Sequence, residues 1–189
     1  MNKPEERVIS WQTLHSEVKY ETPWIKVTHN DVITPANTSG IYGCVHFKNI
    51  AVGILPLDAN MYTYIVQQYR YPLEKFTWEI PEGGSPLDAL PLDTAKKELL
   101  EEVGLKAASW QLIQELELSD SATDEYAYIY IARDLSQFES ALEDTEDIIV
   151  KKIHFDTFFE MVENGEIKDA ISVAAAYKVK LMILNNEIL

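Results

Sequence analysis

Glu98, Glu101 and Glu102 stand at i, i+3 and i+4 in the segment Lys97-Glu98-Leu99-Leu100-Glu101-Glu102-Val103-Gly104. On a helix that spacing projects all three carboxylates from one face. Such carboxylates lie about 5–6 Å apart at Cβ. Two charges at that separation repel by roughly 3 kcal/mol at an effective dielectric near 20, against under about 1 kcal/mol in bulk water. Position adds to the cost, because the last turns before Gly104 carry the negative end of the helix dipole, where Lys or Arg is favoured. The plain alternative, a solvated acidic face, has to accept both penalties. A hard divalent cation relieves both, since Mg2+ takes oxygen ligands and shares them with substrate phosphates. Zinc is the poorer expectation: Cys44 is the single cysteine, and His15, His29, His46 and His154 are scattered along the chain.

The whole chain is acidic as well. Its 189 residues carry 31 Asp and Glu against 16 Lys and Arg, a formal charge of −15. That field argues against sequence-independent binding to nucleic acid or to an anionic membrane surface, and obliges a phosphate-bearing substrate to bring or find cations. Apolar types make up 47%, enough for a real core in one domain with some elaboration. The N-terminal segment Met1-Asn2-Lys3-Pro4-Glu5-Glu6-Arg7 is polar and unlike a signal peptide. The longest apolar run, around Ile50 to Leu57, falls well short of the roughly 20 residues that span a bilayer. The expectation is a soluble cytoplasmic protein with no membrane and no nucleic-acid partner.

Short β-branched and aromatic runs predict strands over Trp24–Ile33, Ile41–Phe47, Ile50–Leu57, Tyr62–Tyr69, Thr77–Ile80, Trp110–Leu116, Tyr126–Ala132 and Ile148–Phe155. The carboxylates need a helix, and apolar residues at Leu92, Ala95, Leu99 and Val103 place one over about Leu90–Val103, closed by Gly104. Two further helices are expected over Asp156–Glu163 and from about Asp169 onward. Interspersed rather than regularly alternating elements argue for α+β, or a mixed sheet sandwiched by helices. The first 47 residues read as a separate antiparallel β-rich subdomain.

Gly83 together with Glu98-Leu99-Leu100-Glu101-Glu102-Val103-Gly104-Leu105 resembles the Nudix box. Two positions depart from that pattern: Ala89 stands where the family has Glu, and Lys97 where it has Arg. In the family those two side chains pair with each other, so losing both leaves no orphaned charge. Gln67-Gln68-Tyr69-Arg70-Tyr71-Pro72 and Thr77-Trp78-Glu79-Ile80-Pro81-Glu82-Gly83-Gly84 resemble the ADP-ribose and nucleoside-diphosphate-sugar pyrophosphatase branch. Trp24-Ile25-Lys26-Val27 and Gly165-Glu166-Ile167-Lys168-Asp169-Ala170 do so too.

The resemblance implies a Nudix α/β/α sandwich over residues 48–189. It also implies an N-terminal β subdomain over 1–47 serving dimerisation and nucleobase contacts, hence a homodimer. The implied reaction is Mg2+-dependent hydrolysis of the pyrophosphate bond of ADP-ribose to AMP and ribose 5-phosphate, with Mn2+ as a substitute ion. The implied metal ligands are Glu98, Glu101, Glu102, the main-chain carbonyl of Glu82 at a tight Glu82-Gly83-Gly84 turn, and Glu146. Glu146 in the acidic loop Glu143–Asp147 is the first choice of general base, Asp144 the next, and Glu101 a further catalytic candidate. Substrate contacts are implied for Arg70, through phosphate or ribose, and for Gly84. Glu79 is either a structural carboxylate or an acceptor of substrate hydroxyls, and Glu125 is a candidate for a supporting role. Trp24 and Tyr42 are expected to stack on the base, or else to pack in the core. Phe47, beside Lys48, stands where relatives carry an Arg from the partner subunit. That departure keeps another nucleoside diphosphate sugar, such as GDP-mannose, open as the substrate. The changes at Ala89 and Lys97 keep open a non-catalytic nucleotide-binding module.

Overall fold

A computed structural model describes residues 10–138 and 147–188 and divides them into two compact units. The first runs up to Lys48 and includes Ser119–Glu125. It is built on β1 (Gln12–Glu21), β2 (Ile25–Ile33) and β3 (Ser39–Phe47), an antiparallel sheet in that order. The strand β1 is an addition to the expected set. Its composition is polar and every one of its residues is exposed, so no buried stripe marks it in the sequence. The 119–125 loop is fastened to β3. The Val45 amide donates to Ala122 O at 2.9 Å, the Phe47 amide to Asp124 Oδ1 at 2.8 Å, and the Tyr42 hydroxyl to Ser121 O at 2.6 Å.

The second unit holds the remaining elements, with β4 (Asn49–Pro56) at its centre. A mixed sheet runs in the order β7 (Glu82–Pro86), β4, β9 (Tyr126–Gln137), β8 (Leu105–Glu117), with β4 and β9 parallel. An antiparallel sheet joins β10 (Ile149–His154), β5 (Tyr62–Arg70) and β6 (Lys75–Glu79). The helices are α1 (Pro91–Val103), α2 (Phe155–Glu163) and α3 (Ala170–Leu184).

Alternation along β4 builds the layers, since successive side chains of a strand point to opposite faces. Val52 and Ile54 pack with Ala95, Leu99 and Val103 of α1, whereas Leu55 and Leu57 join Phe155, Phe158, Ile171 and Val179 of α2 and α3. The sheet is thereby covered on both faces, and β4 reads as a continuous apolar run for that reason. Gly53 permits the approach of α3: a Cβ there would stand 2.3 Å from Ile171 Cγ2. The result is the expected α+β sandwich. No helix among the described residues is long and apolar enough to cross a membrane.

Candidate active site

Local sequence explains why α1 forms and where it ends. Pro91 occupies its first turn with Asp93, where a missing amide costs nothing and an acidic side chain suits the dipole. Gly104, at φ 70°, caps the other end and donates its amide to Leu100 O at 2.9 Å. Burying Ala95, Leu99 and Val103 then sets the rotation of the helix. That rotation does not leave the acidic face in water. Glu102 is 4% exposed, and the side chains of Glu98 and Glu101 are 14% and 22% exposed. A solvated acidic face is therefore not what the carboxylates form.

The expected turn at Glu82-Gly83-Gly84 is instead the strand β7, paired antiparallel to β4 with Gly83 opposite Val52. Consecutive glycines suggest a turn locally, but the long-range ladder to β4 decides the conformation here. Both glycines serve close approach. A Cβ on Gly83 would stand 2.3 Å from Glu98 Cγ and 2.6 Å from its Oε1, and one on Gly84 2.2 Å from Asn49 Nδ2. The Glu82 amide donates to Glu102 Oε2 at 3.2 Å, tying β7 to the helix. Lys97 Nζ lies 2.6 Å from Glu101 Oε2 and 3.8 Å from Glu98 Oε1.

Arg70, at the end of β5, grips Glu79 of β6 with a two-point fork, Nε to Oε2 at 3.0 Å and Nη2 to Oε1 at 2.5 Å. The register of the two strands brings them together, and the Thr77 hydroxyl adds a 3.3 Å donation to Glu79 Oε2. Glu79 is 2% exposed. Burial pushes its carboxyl above the usual range while the Arg70 guanidinium pulls it back. This geometry favours the structural of the two readings of Glu79. Arg70 Nη2 also lies 3.6 Å from Glu82 Oε2. The other oxygen of that carboxylate, Oε1, is buried without a hydrogen bond among the described residues. Burial first, and then the Asp169 carboxylate, push Glu82 well above the ordinary carboxylate value. Asp169 caps α3 by accepting the Ser172 amide at 2.7 Å, and Ser172 Oγ accepts the Ile80 amide at 2.9 Å. Sequence reasoning finds in Asp169 a helix start and a member of the Gly165–Ala170 resemblance, with no role assigned; its place beside Glu82 depends on α3 packing against β4, which no local signal encodes.

The second unit thus brings together Arg70, Glu79, Glu82, Gly84, Glu98, Glu101 and Glu102. Trp24 and Tyr42 belong to the first unit, and neither is a core residue: Trp24 is 68% exposed and Tyr42 is partly exposed, with its ring edge-on to Trp11. Glu125 lies in the 119–125 loop, its amide directed at Thr123 Oγ1. Asp144 and Glu146 lie outside the described residues.

Among the described residues, no three His, Cys, Asp or Glu side chains stand close enough to hold a metal ion as placed. The chemistry of the donors nevertheless fits a hard cation. Glu98, Glu101 and Glu102 offer only oxygen, are largely withdrawn from water, and share a face with the ammonium of Lys97.

The chain matches the NUDIX domain over residues 47–171 and the nucleoside diphosphate sugar hydrolase N-terminal domain over residues 11–45. The ADP-ribose pyrophosphatase of Mycobacterium tuberculosis is 32% identical over 136 residues, covering 68% of this chain and 64% of that protein, so the chain spans just under two thirds of that relative. The ADP-ribose pyrophosphatase of Bacillus subtilis is 31% identical over 133 residues, covering 69% and 72%. The methanol dehydrogenase activator of Bacillus methanolicus is 27% identical over 172 residues, covering 90% and 92%. Among solved structures, an ADP compounds hydrolase superposes with a TM-score of 0.84 at 19% identity, over 96% of this chain and 98% of that one, which is a likeness of fold. Nudix hydrolases generally need a divalent metal, in keeping with an oxygen-only carboxylate face. The chain belongs to the Nudix hydrolase family, in its ADP-ribose and nucleoside-diphosphate-sugar pyrophosphatase branch.

Proposed function

We propose that the protein hydrolyses the pyrophosphate bond of ADP-ribose, adding water across the P–O–P bridge to give AMP and ribose 5-phosphate, with Mg2+ as the working ion and Mn2+ as a substitute. The observation that carries this reading is the withdrawal of Glu98, Glu101 and Glu102 from water on one helix face, with Glu98 and Glu102 set against β7. Those carboxylates, with the main-chain carbonyl of Glu82, would hold the ion. When bound, the ion supplies charge neutralisation at the pyrophosphate oxygens and a more acidic water.

The remaining roles fall to the chain's own groups. Arg70 has donors beyond those taken by Glu79, and they suit a phosphate or ribose oxygen. Its grip on Glu79 holds the guanidinium plane in place, so less ordering is needed when substrate arrives. Proton removal from the attacking water is assigned on sequence to Glu146, then to Asp144, with Glu101 as the candidate on the helix. In the N-terminal unit, the exposed Trp24 ring suits stacking on a base. The strand β1 lies at the edge of its sheet and carries the exposed apolar side chains of Leu14, Val18 and Tyr20, which suits homodimerisation through that unit.

The match to the nucleoside diphosphate sugar hydrolase N-terminal domain, together with Phe47 at the departing position, favours a second reading in which another nucleoside diphosphate sugar such as GDP-mannose is preferred. A panel of nucleotide sugars assayed with Mg2+ for released phosphomonoester decides between them. ADP-ribose is expected to show the highest kcat/KM. A higher value for a sugar nucleotide would establish the second reading, and no turnover of any member would contradict both.

A further inference from the structure

The cation at the carboxylate face is the protein's own. Lys97 Nζ lies 2.6 Å from Glu101 Oε2 and 3.8 Å from Glu98 Oε1. Ala89, at the position where the family pattern has Glu, supplies no carboxylate of its own to compete for the ammonium. The Lys97 side chain is 53% exposed, so it can leave into solvent without disturbing the core. Its partner Glu101 is the most exposed of the three carboxylates.

From this placement we infer that Lys97 is a resident counter-ion, neutralising Glu98 and Glu101 in the metal-free protein and withdrawing when a divalent cation enters. The inference rests on the carboxylate face being a metal site, as set out under the proposed function. Two consequences have opposite signs. Without metal, Lys97 relieves the repulsion between helix carboxylates and stabilises the fold. With metal, the same ammonium must be displaced and repels the incoming ion, so it weakens metal binding. Lysine suits this task better than arginine as a compact point charge on a flexible stem, whereas arginine would fork more firmly onto a carboxylate. Lys97 is thus a positioning residue.

The test compares wild type, Lys97→Met and Lys97→Arg by thermal melts in EDTA and by Mn2+ titration followed through the spin resonance of free Mn2+. Lys97→Met is expected to lower the metal-free Tm by about 2–4 °C, as loss of a partly exposed ion pair would in a chain of this size. It is expected to tighten Mn2+ binding by about three- to tenfold. Lys97→Arg should keep the metal-free Tm and bind Mn2+ no more tightly than wild type. Lys97→Gln provides the same comparison should the methionine variant fail to fold. Unchanged or weaker Mn2+ binding by the charge-removed variant overturns the inference, even where wild type binds Mn2+ and turns over substrate. Absence of Mn2+ binding by wild type overturns the metal site itself and the inference with it.

Discussion

Gly83 of β7 lies so close beneath Glu98 of α1 that a Cβ added to it would stand 2.3 Å from Glu98 Cγ and 2.4 Å from Cδ. The contact is with the movable end of a side chain rather than with backbone. Gly83→Ala should therefore fold, with a Tm within a few degrees of wild type, but with the Glu98 carboxylate pushed aside. Displacing a catalytic ligand by about 1 Å can cost about 100-fold in rate, and a loss of that order in kcat/KM is expected. Activity assays alongside thermal melts check it; full activity would mean that Glu98 does not need its present position.

Glu102 connects the helix to β7 through the Glu82 amide at 3.2 Å and is almost wholly buried. Glu102→Gln keeps an oxygen acceptor for that amide, whereas Glu102→Ala leaves the donor unsatisfied at a cost of about 1–3 kcal/mol. Both variants should lose turnover, but only the alanine variant should lose stability to that extent. Urea denaturation in EDTA, paired with ADP-ribose hydrolysis, separates the two effects.

The Arg70–Glu79 fork sets up an asymmetric pair of substitutions. Arg70→Ala leaves the 2% exposed Glu79 carboxylate without its cation. For fully buried pairs that costs about 3–5 kcal/mol; the 38% exposure of the Arg70 side chain brings the expectation nearer about 2 kcal/mol. Arg70→Met with Glu79→Leu should recover most of that stability while activity stays low, because the donors intended for substrate are gone. Recovery of activity in the double variant would remove Arg70 from substrate binding.

These relationships are legible in the sequence to different degrees, for physical reasons. The helix α1 carries its own signals, in Pro91, the Ala95–Leu99–Val103 stripe and Gly104, so the carboxylate face is readable residue by residue. The strand β4 is equally plain, because burial on both faces makes it a continuous apolar run. Arg70 and Glu79 each stand out, but not as a pair, since their contact depends on the β5–β6 register. The strand β7 reads as a turn because Gly83-Gly84 looks like one until β4 supplies its ladder. Asp169 reaches Glu82 only through the packing of α3, and β1 has no buried stripe to announce it. Local periodicity recovers the elements other than β1 and β7; the contacts among them that shape the site are long-range.

Stability of the metal-free protein should fall as pH rises above the ordinary carboxylate range. Burial and Asp169 hold the Glu82 pKa above its unfolded value of 4.5, so the folded state keeps a proton that the unfolded chain releases. More protons on the folded side means that unfolding becomes easier with increasing pH, from about pH 4.5 up to the raised value. Glu79, shifted in the same direction, adds to the trend. Glu82→Gln stays neutral throughout and keeps its main-chain carbonyl. Relative to wild type it should gain stability as pH rises above about 5, read from urea midpoints in EDTA. A parallel pH dependence in the two proteins would contradict the assignment to Glu82.

The most direct test of the carboxylate face is anomalous diffraction from crystals soaked in Mn2+, collected for wild type and for Glu98→Gln. The predicted result is a Mn2+ peak in wild type within about 2.0–2.5 Å of carboxylate oxygens from Glu98, Glu101 and Glu102, lost or much weakened in the variant. A face without a peak at saturating Mn2+, with Lys97 still on Glu101 and Glu102 still accepting the Glu82 amide, would contradict the account.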